Sequence, residues 1–314
     1  MRYQAGQPIS VGFICRNKAK EIRKIIPQLA AGTVRPDRVV LCDDLSDDGS
    51  PEVFEKLCQA HGLEHRILSL PVDGPRFRIN SLRNAAIRAS LDGLVVLLDA
   101  DLVPARTCLE AHRRMHLDHP GEKLVTTGPR LEFASMSGEG PVNFLWGFES
   151  VGQVSGGDGP QLPNWQVTPG SMMGMTQRAV ESVGWFDQGY DGFYGYDDVD
   201  FMIRADMQGF AFRGDWEAHV IHIPHPRSQI HADSSRNAER FFRKWGMHVV
   251  YPEVIRNMGR KPWNEAYKDL LAGQNPNTII SALPLEGVSA KLMIRVLARK
   301  AGRRLKSYLG ARAG

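Results

Sequence analysis

The chain is short of the features that mark secreted or membrane-spanning proteins. It has 4 cysteines in 314 residues (Cys15, Cys42, Cys58 and Cys108), with no C-x-x-C and no paired spacing. Three of them sit in apolar surroundings, which favours reduced core thiols in a cytosolic protein over a disulfide framework. No apolar run approaches the ~20 residues needed to span a bilayer. The N-terminus lacks the basic and apolar blocks of a signal peptide. Together these absences set a cytoplasmic expectation. The net charge of +4 is modest, and no nucleic-acid partner is expected. Acids are missing altogether from Lys291 onward, where Lys291, Arg295, Arg299, Lys300, Arg303, Arg304, Lys306 and Arg312 alternate with apolar residues near helical spacing. Such a helix can lie peripherally on an anionic membrane surface at the inner face, or pack on its own domain with a solvated basic face.

What is present is ordinary in amount, 42% hydrophobic and 24% charged, and specific in order. Strand-like apolar runs at 9–15, 38–42, 65–70, 94–98 and 123–127 alternate with helical patterns at 18–31, 51–61, 78–91 and 106–117. This alternation predicts an α/β fold with a mainly parallel central sheet and helices on both faces. From 129 to 165 the pattern gives way to Gly, Pro and Ser around Trp146 and Trp165, the composition of a functional loop. Periodicity returns at 168–175 and continues to about 250. The expected organisation is one domain over 1–250, with halves at 1–128 and 129–250, and a C-terminal helical extension over 251–314.

Three acid clusters follow apolar or Gly-rich segments. In Val95-Val96-Leu97-Leu98-Asp99-Ala100-Asp101 a buried-strand run ends at two carboxylates spaced i, i+2. Ligands of open parallel sheets bind outside the carboxyl ends of the strands, and paired acids there can hold a hard cation that gathers phosphate oxygens. Asp43-Asp44-Leu45-Ser46-Asp47-Asp48-Gly49-Ser50 ends another strand. Capping of the next helix accounts for Asp48 and Ser50; Asp43 sits on the strand itself, where it can accept from a base or ribose. In Gly195-Tyr196-Asp197-Asp198-Val199-Asp200 the crowded acids repel, which suits one of them to general-base work. His222 and His225, with Arg227, end a later apolar run.

In order and spacing these motifs resemble a GT-A fold, Rossmann-like nucleotide-sugar glycosyltransferase of family 2, with a second half similar to the galactosyltransferase C-terminal module. The resemblance runs from about residue 10 to residue 227. Ile14-Cys15-Arg16-Asn17 takes the place of Pro-Thr-Tyr-Asn, Arg83-Asn84-Ala85-Ala86 that of Arg-Asn-x-Gly, Asp99-Ala100-Asp101 that of D-x-D, and Asp197-Asp198-Val199-Asp200 that of Glu-Asp-x-Asp. The resemblance implies a metal-dependent hexosyltransferase moving sugar from a nucleoside-diphosphate donor, with UDP favoured, to a hydroxyl of a glycan or other acceptor. It implies Asp43 or Asp44 on the base, Asp99 on the ribose, and Arg83 on a phosphate or ribose. Asp101 and His222 would hold Mn2+ or Mg2+, with the imidazole favouring Mn2+. Asp198 would be the base of an inverting reaction. Asp197 would bind an acceptor hydroxyl, and Trp185, with Trp146 and Trp165, would offer sugar-stacking surfaces.

The chain departs from the family at three places. Cys15 and Arg16 remove the usual aromatic at the base, Leu45 replaces a turn glycine, and Asp197 is one methylene shorter than Glu. Two competing readings are a catalytically silent partner in a synthase complex, docked by the basic tail, and a metal-dependent nucleotidylyltransferase. Retention of Asp99, Asp101, Asp198 and His222 together argues against the first. The lack of glycines in Cys15-Arg16-Asn17-Lys18 argues against the second.

Overall fold

Strand β1 (Ile9–Cys15) forms the middle of the main sheet, apolar on both faces as a buried parallel strand must be. It pairs in parallel with β2 (Arg38–Asp43) on one side and β4 (Leu94–Asp99) on the other, and β2 pairs in parallel with β3 (His65–Ser69). These are the strands that the apolar runs predict, each within a residue of the expected bounds. The computed structural model describes residues 3–71, 77–128, 130–133, 142–143, 170–223 and 235–245. The expected basic helix, the 251–314 extension, Trp146, Trp165, His225 and Arg227 lie outside the described residues.

The remaining strands are β5 (Leu102–Pro104), β6 (Leu124–Thr127), β7 (Arg130–Phe133), β8 (Val142–Asn143), β9 (Met172–Thr176), β10 (Ala211–Gly214) and β11 (Val220–His222). The main sheet runs β10-β6-β9-β4-β1-β2-β3, and a small second sheet runs β5-β11-β7-β8. Only β9 is antiparallel to its neighbours β4 and β6 in the main sheet. The Gly- and Ser-rich region was expected to be loop throughout; instead it contributes β7 and β8, too short to show a period.

Helices α1 (Ala19–Ala30), α2 (Ser50–Ala60) and α4 (Cys108–Asp118) cover one face, where Ile22, Ile25 and Ile26 of α1, Phe54 and Cys58 of α2, and Cys108 and Leu109 of α4 join Val11, Phe13, Val39, Val96 and Leu98 in one core. Helix α3 (Ile79–Ala89) covers the other. Gly12 permits this: a Cβ there would stand 3.0 Å from both Ala86 Cβ and Leu97 Cδ2. Helices α5 (Gln177–Val183), α6 (Asp197–Met207) and α7 (Ser235–Trp245) complete the described chain. All four cysteines are free and buried, and burial pushes each thiol up to about 12. Among the described residues no helix is long and apolar enough to cross a membrane.

Helix α4 carries an unusual buried pair. Nδ1 of His112 donates to Thr126 Oγ1 at 2.8 Å, that hydroxyl donates to the Gly174 carbonyl at 3.1 Å, and His116 Nε2 lies 3.4 Å from it. Burial pulls His112 down to about 3, with His116 adding to the fall, and pulls His116 itself down to about 4. Both rings are thus neutral in the folded state at a pH where the unfolded chain binds protons. Their contribution is complete above the unfolded value near 6.5 and is lost as pH falls toward 4. Urea unfolding between pH 7.5 and 5 should therefore show stability falling by up to about 1.4 kcal/mol per pH unit for each ring. His116→Gln should flatten that slope; equal slopes in the two proteins would count against this account.

Candidate active site

The acid clusters meet at the carboxyl ends of β1, β2 and β4, and the pairings of the two sheets explain how. At the end of β4 the backbone N–H of Asp99 donates to Ser171 O at 3.0 Å, so the start of β9 lies beside it. Asp101 occupies the turn into β5. That strand pairs antiparallel with β11, with Leu102 opposite His222, and Ile223 N donates to Asp101 O at 2.9 Å. His222 Nε2 therefore stands 4.0 Å from Asp101 Oδ1. Lys18 Nζ lies 2.9 Å from the other oxygen, Oδ2. Divalent cations bind such ligands at about 2.0–2.2 Å, so one ion can bridge two atoms at the Asp101–His222 spacing. Among the described residues no group of three or more His, Cys, Asp or Glu is placed to hold a metal, so an ion between these two would need further ligands from outside that set. The donor set fits a hard divalent cation on these terms.

The acids of the β2 cluster are held by hydrogen bonds and ion pairs of their own. Asp43 is buried, and its carboxylate accepts from Ser46 N at 2.9 Å and Ser46 Oγ at 2.5 Å. Asp44 Oδ1 takes two bonds from Arg78, Nε at 2.9 Å and Nη2 at 2.7 Å, while Arg16 Nη1 stands 3.7 Å from Oδ2. Asp48 accepts from Ser50 N at 3.0 Å and from Ala19 N at 2.9 Å. It thus caps α1 as well as shaping its own turn. Leu45, standing where the family has glycine, adopts φ 59°. The turn is kept, at a cost of roughly 1–2 kcal/mol for a left-handed L-residue.

The third cluster divides by environment. Asp200 is fully buried and accepts from Arg204 Nε at 3.0 Å and Trp245 Nε1 at 2.9 Å, with Lys244 Nζ at 2.7 Å. Asp197 is buried against Arg83, Nη1 to Oδ2 at 2.5 Å. Burial raises Asp197 to about 6 against the pull of Arg83, with Asp198 adding to the rise. Asp198 alone is partly open, accepting from Gly170 N at 3.2 Å and Val199 N at 2.9 Å. Burial also pushes Asp99 up to about 7; Asp101 and Asp197 add to this, and Arg83 and Arg130 oppose it. For Arg83 burial acts downward, but Asp197, Asp99 and Asp198 reverse it and raise its pKa.

Of the expected site residues, Asp99, Asp198, Asp197 and Arg83 share one electrostatic neighbourhood, and Asp101 and His222 stand together at its edge. Trp185 is placed otherwise, its ring stacked with the Arg88 guanidinium at 4.3 Å, more than a turn along α3 from Arg83. Sequence reasoning missed Lys18, Arg78 and Arg130. None of them follows an acid-ended strand in the sequence, so no local signal ties them to the carboxylates.

The glycosyl transferase family 2 model matches residues 10–184, more than half of the sequence, and the chain belongs to that family. The match ends before the acids at 197–200, so the galactosyltransferase-like character of the second half rests on its sequence motif alone. Comparison with the curated proteins finds no match. Among solved structures the chain is similar to S. aureus TarS 1-349 in complex with UDP-GlcNAc, at 16% identity and TM-score 0.58 over 85% of this chain and 71% of that one. It is also similar to the mannosyltransferase PcManGT from Pyrobaculum calidifontis in complex with GDP-Man and Mn2+, at 17% identity and TM-score 0.55 over 97% and 83%. A third is GalNAc-T7 with UDP, GalNAc and Mn2+, at 13% identity and TM-score 0.57 over 88% and 57%. Identities this low carry the fold, which is GT-A. The chain spans 60% of the length of TarS 1-349 and 36% of the longer TarS structure in two further matches.

Gly170 ties the halves of the site together. A Cβ there would lie 2.5 Å from Asp198 Cβ and 3.1 Å from both terminal nitrogens of Arg83. Gly170→Ala should displace Asp198 and cut turnover by roughly a hundred-fold, the scale of a 1 Å misplacement. Gly121→Ala, at a position with open space around it, is the control. Equal turnover in the two variants would show that the clash relaxes away from Asp198.

Proposed function

We propose that the protein transfers a hexosyl group from a nucleoside-diphosphate sugar, with a UDP-sugar the favoured donor, to a hydroxyl of a glycan or other acceptor, inverting the anomeric carbon. The observation that carries this reading is the sorting of the third acid cluster. Asp197 and Asp200 are buried in ion pairs, and Asp198 is left partly open beside Gly170. TarS bound to UDP-GlcNAc and PcManGT bound to GDP-Man and Mn2+ lend support to the donor class.

In this reading the base and ribose lie over the ends of β1 and β2, against Asp43, Asp44 and Arg78, with Asp99 toward the ribose. Asp44 and Arg78 offer the base an acceptor and a donor side by side. Asp101 and His222 would hold Mn2+ or Mg2+, which would supply Lewis-acid neutralisation of the diphosphate. Asp198 accepts the proton of the acceptor hydroxyl as its oxygen bonds to the anomeric carbon. The bond to the phosphate oxygen breaks on the opposite side, and the nucleoside diphosphate leaves with the electron pair. Arg83 keeps Asp197 paired, so a single carboxylate of the cluster faces the acceptor. A screen of nucleotide release from UDP-, GDP- and TDP-sugars with Mn2+ tests the donor class directly.

Asp198→Asn keeps size and much of the hydrogen bonding but cannot take a proton. Transfer should fall by ~10²–10⁴, the usual cost of losing a general base, while calorimetric affinity for the donor stays within a few-fold. Near-normal transfer would eliminate Asp198 as the base. Asp101→Ala should abolish transfer and weaken nucleotide-sugar binding. Undiminished turnover of the wild-type protein in EDTA would sink the metal assignment.

A further inference from the structure

The two oxygens of Asp101 are committed in different directions. Oδ1 is 4.0 Å from His222 Nε2, and Oδ2 is 2.9 Å from the Lys18 ammonium. The ion pair is mostly shielded, with side-chain exposures of 16% for Lys18 and 14% for Asp101, so it escapes much of the solvent screening that weakens exposed pairs. The backbone of Lys18 is held in place as well. Asn17 adopts φ 53°, a sharp left-handed bend between β1 and α1. Lys18 N donates to Ser50 Oγ at 2.8 Å, and Asn17 N to Ser46 Oγ at 2.8 Å. Only the four-carbon stem is left to move, and it carries a compact charge with three rotatable donors.

An ion between Asp101 and His222 would share one carboxylate with that ammonium, and like charges so close in a shielded site repel strongly. Phosphate oxygens are the alternative partner that relieves the repulsion, since an ammonium binds them as a point charge. We propose that Lys18 is a positioning residue: it occupies Asp101 in the free protein, weakens divalent-ion binding there, and turns to the donor's phosphates when nucleotide and metal arrive together. Metal and nucleoside diphosphate would then bind cooperatively, each removing a cost the other meets alone. This rests on the reading of Asp101 and His222 as metal ligands.

The test is calorimetry with Mn2+ alone, and with UDP at saturating Mn2+, on the wild-type chain, Lys18→Met and Lys18→Arg. Lys18→Met should bind Mn2+ alone about ten-fold or more tightly, and UDP at saturating Mn2+ about ten-fold more weakly. Lys18→Arg, which keeps the charge, should stay near wild type for Mn2+ alone. Opposite signs are the signature, because general damage to the site would weaken both. Loss of both affinities in a Lys18→Met protein that melts normally, or no change in either, overturns the proposal. Should Lys18→Met not fold, Lys18→Gln removes the same charge with a polar end. No Mn2+ binding by either the wild type or Lys18→Met, with UDP affinity the same with and without Mn2+, removes the metal reading and this inference with it. Wild-type binding of both ligands, with Lys18→Met unchanged, removes this inference alone.

Discussion

The contact between Arg83 and Asp197 joins two parts of the chain 114 residues apart, and most of the site is arranged around it. Arg83 is buried on α3, lies 5.2 Å from the centre of the Phe186 ring, and leaves its Nε without a hydrogen-bond partner among the described residues. Removing one partner of such a pair strands a buried charge, at about 3–5 kcal/mol. Nearby contacts make the same join. Asn84 both donates to Phe186 O and accepts from Phe186 N, at 2.9 and 3.0 Å. Asp191 accepts from the backbone N–H groups of Asn80 and Ser81 at the start of α3. Helix α3 is thus bonded to the segment that leads into Asp198 as well as packed on the sheet beneath it.

That arrangement gives the acids different tasks in spite of their similar sequence settings. Asp43 and Asp48 shape loops, Asp44 is paired with Arg78, Asp197 with Arg83, and Asp200 anchors α7 through Trp245 and Lys244. A cleft lined by this many carboxylates would repel a diphosphate if all of them stood free. Pairing neutralises most of them, Asp101 with Lys18 included, and leaves Asp99 and Asp198 to set much of the local field.

The parallel part of the fold was legible because its signals are local. The buried strands are unbroken apolar runs, and the helices between them carry their own period. The antiparallel strand β9 was visible as renewed periodicity, but its place between β4 and β6 depends on pairings that no local pattern encodes. The nearness of Asp101 to His222 was expected from resemblance. Its physical cause, the β5–β11 pairing, involves strands of three residues each, too short to leave a pattern. The stacking of the Trp185 ring with Arg88 left no mark in the sequence, where the two are 97 residues apart. Leu45 shows the opposite case: standing where the family has a turn glycine, it keeps the left-handed bend and carries the strain.

The four thiols have a practical consequence. Cys15, Cys42, Cys58 and Cys108 are all buried, with their pKa values pushed up to about 12, and the thiolate is the reactive form. In the closed native state they are therefore silent toward alkylating reagents. Their positions, the ends of β1 and β2, the last turn of α2 and the start of α4, all fall in the half that carries the first two acid clusters. Labelling kinetics on the unmodified chain thus amount to a built-in clock for the breathing of that half, blind to motions elsewhere, with no probe to be engineered.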